Sequence, residues 1–206
     1  SNWSTPINFS IGASKANVTV TLHDANNYAE GLTIFSSADG TYSSIIDMYG
    51  QEIWNSADQQ FIYYNTNYKG NFLGAKYNEL LTYQYPSVEF SLNNDVTWTE
   101  PNIRDTHHDL IQLPWGDYLG IGHEYQNGPI HAIGYIQMLY FANGYLADGE
   151  TNEWPWQGDV LIIWDQHTGE EKWTWRAFDH FNTLDYDINS WNAPPNFSEP
   201  AYDWTH

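Results

Sequence analysis

The sequence predicts an all-β fold, and three observations carry that prediction. Almost no stretch shows the 3.6-residue apolar period of a helix. The chain is instead a series of short apolar or alternating runs, separated by turn chemistry such as Asp39-Gly40, Tyr49-Gly50 and Pro114-Trp115-Gly116-Asp117. Its 206 residues include 11 Trp, 16 Tyr and 15 Gly, with abundant Thr and Asn, a profile of β-rich extracellular proteins, while the absence of cysteine is neutral on compartment.

Taken in order, "INFSIG" (7–12) and "NVTVTLHD" (17–24) read as a strand pair near the N-terminus. "LTIFSSADGTYSSIIDMYGQEIWNS" (32–56) reads as three strands joined by turns at Asp39-Gly40 and Tyr49-Gly50. "DLIQL" (109–113) and "YLGIG" (118–122) flank the Pro-Trp-Gly-Asp turn. "VLIIWDQHTGEEKWTW" (160–175) repeats the pattern of "SSIIDMYGQEIWN" (43–55): a β-rich run reaches an Asp, a Gly-containing turn follows, and a short strand ends in Trp. Two stretches break the rhythm. Residues 135–159, ending in "EWPWQGD", read as a long inter-strand insertion, and residues 178–206 read as a long polar loop.

Strand-turn-strand units that recur without helices predict a β-propeller with blades of roughly 40–50 residues, against the β-sandwich that similar strand spacing would also allow. About three or four blades' worth of units are visible. The expected division is a short N-terminal β segment, 1–29, and a partial propeller, 30–206. The start "SNWSTP" reads as a mature or trimmed terminus, and the stop at His206 without a closing strand reads as part of a larger fold.

The charge is −20, from 26 acidic and 6 basic side chains. Nucleic acid and anionic membrane surfaces both require a cationic footprint, so neither is expected as a partner. No apolar run is long enough for a membrane-spanning helix. An extracellular or periplasmic location is expected, with Asn2, Asn8, Asn17 and Asn196 heading glycosylation triplets.

Four stretches, in order, resemble the aryl-sulfate sulfotransferase (arylsulfotransferase) family: "GLTIFSSADGTYSSIIDMYGQEIW", "HHDLIQLPWGDYL", "GDVLIIWDQHTGEEKWTWRAFDHF" and "YDWTH". "EWPWQGD" and "FDHF" look closest to secreted, Bacteroidetes-like members. The resemblance implies a six-bladed propeller that moves a sulfuryl group from a phenolic sulfate ester to a phenol acceptor through a sulfohistidine. It also implies that His108, or His107, and His206 line the sulfate pocket. The histidine that takes the group lies, in the family, beyond the segment matched by "YDWTH".

The chemistry suits those residues. Imidazole serves as nucleophile when neutral and as acid or oxyanion donor when protonated, both near neutral pH. Arg104 is one of two arginines and is placed to meet a sulfate oxygen; His180 is a second substrate-binding candidate. If residues 107–108 are extended, their side chains point to opposite faces, which makes one inward, expected to be His108, and the other structural.

No spacing among His107, His108, Asp109, His123 and Glu124 matches a zinc motif, so no metal is expected in catalysis and no cofactor beyond a structural Ca²⁺ on a loop such as "DGETNE" (148–153). The competing expectation is a non-catalytic extracellular protein that self-assembles into an oligomer, filament or adhesive polymer through open sheet edges. A carbohydrate-binding β protein, suggested by abundant Trp and Tyr, is a third.

Overall fold

The structure, a computed structural model, describes residues 13–21, 24, 26–27, 30–37, 42–77, 85–102, 106–128, 138, 141–146 and 153–181. It is all-β, with three antiparallel sheets. The first contains β1 (Thr33–Ser36), β2 (Ser43–Ile46) and β3 (Glu52–Asn55). The second contains β4 (Phe61–Thr66), β5 (Phe72–Lys76), β6 (Ser87–Phe90) and β7 (Val96–Thr99). The third contains β8 (Leu110–Gln112), β9 (Tyr118–Gly128), β10 (Trp154–Trp164) and β11 (Glu171–Arg176), followed by a 3-10 turn at Ala177–Asp179. In every sheet the strands lie side by side in chain order.

By contacts the chain forms two compact units, residues 1–120 with 164–170 and residues 121–163 with 171–206. Within the first unit, β1 packs on β4 and β4 packs on β8, so the opening strands of successive sheets are neighbours.

One turn design explains why the strands stop where they do. At Asp47–Gln51, Asn67–Asn71, Ser91–Asp95 and Leu113–Asp117, the first residue's N–H donates to the fifth carbonyl, at 2.8–3.0 Å, and the fourth N–H donates to the first carbonyl, at 2.8–3.0 Å. The fourth residue must be left-handed, and it is Gly50 (φ 79°), Gly70 (φ 84°), Asn94 (φ 65°) or Gly116 (φ 103°). In three of the turns the first side chain also accepts from the third and fifth N–H groups: Asp47, Asn67 and Ser91 do so at 2.9–3.3 Å. The longer turn at Asp165–Glu170 is headed the same way, with Asp165 accepting from the His167 and Thr168 N–H groups at 2.8 Å.

A cluster of Ile45, Trp54, Phe61, Phe72, Val88 and Phe90 joins the first two sheets. Phe61 and Phe90 stack at 4.2 Å, while Trp54 meets Phe72 at 5.1 Å and donates its indole N–H to the Leu92 carbonyl at 2.7 Å. Gly74 sits opposite a bulge between Tyr63 and Asn65, where a Cβ would overlap the Ile62 carbonyl.

Two expectations change. "NVTVTL" forms no strand over residues 17–21, and the residues just before it are held by side-chain bonds. Glu52 accepts from the Lys15 and Ala16 N–H groups at 3.2 and 2.5 Å, and Asn55 donates to the Ala13 carbonyl at 3.1 Å. "EWPWQGD" is not an insertion: from Trp154 onward it is the first half of β10. "INFSIG", the Asp39-Gly40 turn, Asn2, Asn8, Asn196, Arg104 and His206 lie outside the described residues.

Candidate functional site

The segment that enters β8 is anchored before its histidines begin. Thr106 is buried, donates to the Glu100 carboxylate at 2.6 Å and accepts from the Ser87 hydroxyl at 2.6 Å. Glu100 also takes the Ser87 N–H at 3.0 Å. A buried carboxylate is tolerable only when its oxygens are so occupied.

After Thr106 the chain turns sharply. The Asp109 N–H donates to the His107 carbonyl at 2.7 Å, and His108 is left-handed at φ 64°. The expectation of two extended histidines on opposite faces therefore fails: the backbone folds between them, and their rings meet edge to face at 4.6 Å. Burial is also reversed. His107 is half-buried, whereas His108 and Asp109 are exposed. A non-glycine residue in the left-handed region carries conformational strain, which proteins keep mainly where surrounding structure or function fixes it.

The second unit holds its own polar group. Along β10 burial alternates, with Trp156, Gly158, Val160 and Ile162 covered and the residues between them half-buried. His123 and Asp159 both lie on half-buried positions, and a ring nitrogen of one comes within 4.8 Å of a carboxylate oxygen of the other. An imidazole and a carboxylate at this separation act as an orienting pair or as two ligands of a divalent metal. Glu124 takes the Arg176 guanidinium at 3.3 Å and the Phe178 N–H at 3.4 Å. His180 is exposed and stacks flat on Trp175 at 4.9 Å, which gives it an aromatic support. Asn17 is exposed, as a glycan acceptor must be.

Asp159 was missed in the sequence. Its signal was the period-two alternation through "WQGDVLIIW", which places it on the same strand face as Leu161 and Ile163.

Another deep polar group belongs to the first unit. The Glu89 carboxylate is buried and accepts from Asn67 at 3.1 Å, from Asn71 at 2.5 Å and from the Tyr118 hydroxyl. Burial, reinforced by the bond to Glu89, pushes the Tyr118 hydroxyl well above the ordinary tyrosine range. Burial pushes Glu52 up, but donors from Asn55, Ala16, Ser44 and Lys15 outweigh it and hold its carboxyl below the usual value. These groups are saturated by neighbours and serve the fold.

Comparison with protein-family models, with curated proteins and with solved structures finds no match to this chain.

Proposed function

We propose that this chain is built as a β-propeller and contributes, in the complete protein, to sulfuryl transfer of the arylsulfotransferase kind, moving the group from a phenolic sulfate ester to a phenol. The observation that carries the reading is the placement of His107 and His108 at the mouth of β8, the opening strand of its sheet. Successive meanders whose opening strands touch, β1 on β4 and β4 on β8, are what propeller blades present around their axis. The rim of that axis is where a propeller's functional loops gather.

In this reading the half-buried His107 replaces His108 as the inward member. Its imidazolium donates to the sulfate oxygens, while His108 holds the rim. Transfer forms a sulfur–nitrogen bond to the nucleophilic histidine, which the resemblance places beyond the segment matched by "YDWTH", as the sulfur–oxygen bond to the aryl group breaks. The phenolate leaves and takes a proton, and an acceptor phenol reverses the step.

The test, on the full-length protein, is release of 4-nitrophenol from its sulfate ester in the presence of a phenol, with mass spectrometry of the histidine peptides. The expected result is release that falls by about 10²-fold or more in His107→Asn. Absence of both release and a sulfated histidine sinks the reading.

A second reading, a non-catalytic self-assembling protein, is favoured by β7. This strand closes the order of its sheet, and Val96, Thr97 and Thr99 on it are exposed. Ordered polymers under the electron microscope support it; a dispersed monomer counts against it.

A further inference from the structure

In the first unit, β4 and β8 run side by side into two of the shared turns, Asn67–Asn71 and Leu113–Asp117. Between them lies a groove of about 420 Å³ whose lining includes Asn65, Thr66, Tyr68, Ile111, Gln112 and Pro114. That volume falls within the range of small-ligand sites. No histidine lines it, and neither does any side chain charged at neutral pH.

Its surfaces are of two kinds. Ile111 and Pro114 supply an apolar wall. Asn65, Thr66 and Tyr68 supply an amide and two hydroxyls, all at least partly exposed. Beneath them the floor is rigid: Asn67 donates to Gln112 and to Glu89 at 3.1 Å each, and Gln112 donates to the Gly116 carbonyl at 3.1 Å.

Two large aromatic rings stand out at the turn tips, Tyr68 at 71% exposure and Trp115, next to the lining Pro114, at 63%. Neither is loose. Lys69 lies 5.4 Å from the Tyr68 ring centre, and the Trp115 indole N–H donates to Asp117 at 2.9 Å. Aromatic rings fixed before binding present large amphipathic area at little cost in entropy.

A pyranose ring matches this arrangement. Its faces of C–H bonds pack on the electron-rich face of an aromatic ring. Its equatorial hydroxyls both give and take hydrogen bonds, as the Asn65, Thr66 and Tyr68 groups do. A net charge of −20 disfavours an anionic polymer, and the groove offers no lining cation to offset it. We propose that this groove is a carbohydrate subsite that takes an uncharged pyranose unit of a glycan, with the lining Tyr68 as its aromatic platform and Trp115, next in sequence to the lining Pro114, as a second ring for the adjoining unit. The subsite shares no residue with the histidine segment, so it stands or falls separately from sulfuryl transfer.

Affinity electrophoresis of the full chain tests this, in gels containing laminarin, xyloglucan or galactomannan, with dextran sulfate and polygalacturonate as anionic controls. Retardation by at least one neutral polysaccharide is expected, with quenching of tryptophan fluorescence by the matching oligosaccharide. Tyr68→Ala and Trp115→Ala, both at exposed turn tips, should each weaken binding by about tenfold while the circular dichroism spectrum stays unchanged. The proposal is overturned by absence of retardation in every neutral gel, by retardation in the anionic gels alone, or by a loss below about threefold in both variants.

Discussion

In the first unit the carboxylates of Glu89 and Glu100 are buried, and each is closed in by neutral donors: Asn67, Asn71 and Tyr118 around one, Ser87 and Thr106 around the other. In the second unit Glu124 faces the half-exposed Arg176, and Asp159 stands beside His123 on a half-buried strand face. The same residue types thus do different work. Carboxylates met by amides and hydroxyls are architecture, while those met by an imidazole or a cation keep chemistry available. In so acidic a chain, a buried glutamate is a poor guide to a reactive site. The partner set is the better one.

That contrast can be broken most forcefully at Gly74. Ala there forces the β4 bulge apart and should cost the first unit about 3 kcal/mol, read as a lower urea midpoint. Tyr118→Phe leaves the buried Glu89 short of a donor and should cost about 2 kcal/mol by the same measurement.

The same pair predicts an alkaline limit. Because the folded Tyr118 hydroxyl titrates above its unfolded value, its contribution is complete below about pH 10 and declines as pH rises beyond it. Stability of Tyr118→Phe should therefore fall less steeply than that of the parent between about pH 10 and 11. Parallel profiles would break the assignment.

Gly70→Ala places a Cβ at φ 84° and should cost about 1 kcal/mol. Asn94→Gly relieves the matching position of another turn, at some cost in chain entropy, and should shift stability by no more than about 0.5 kcal/mol. The smallest effect is expected in the second unit. Arg176→Ala removes an ion pair whose arginine is 46% exposed and should change stability by less than about 0.5 kcal/mol, so a larger loss would make that pair structural.

Legibility followed the turns. Tyr49-Gly50 and Trp115-Gly116 could be read because glycine announces a left-handed position, and the strands on either side then fell into place as β2, β3, β8 and the start of β9. The turn at Ser91–Asp95 has Asn94 in that position, so it gave no such signal, and Gly70 did not mark its turn because the polar Asn65, Asn67, Lys69 and Asn71 around it hid the strand ends. The sheet around it, β4 to β7, was not read at all from the sequence. Bulges at Tyr63/Asn65 and Glu89/Phe90 interrupt its alternation, and its polar Asn67, Asn71 and Glu89 look like loop residues until their mutual bonds are seen. In the histidine segment the residue types were visible but their conformation was not, since nothing local marks His108 as left-handed.

The four matching turns have a consequence for how this surface can change. Each is specified by backbone bonds and one left-handed residue, and nothing in that specification names the second and third positions. Those positions hold Met48-Tyr49, Tyr68-Lys69, Leu92-Asn93 and Pro114-Trp115, four unrelated pairs on one frame. The protein therefore carries a set of interchangeable sockets. Selection, or a designer's library, can rewrite the exposed Tyr49, Tyr68 and Trp115 at little risk to the sheets beneath, whereas Leu92 packs on the core cluster and cannot be exchanged so freely.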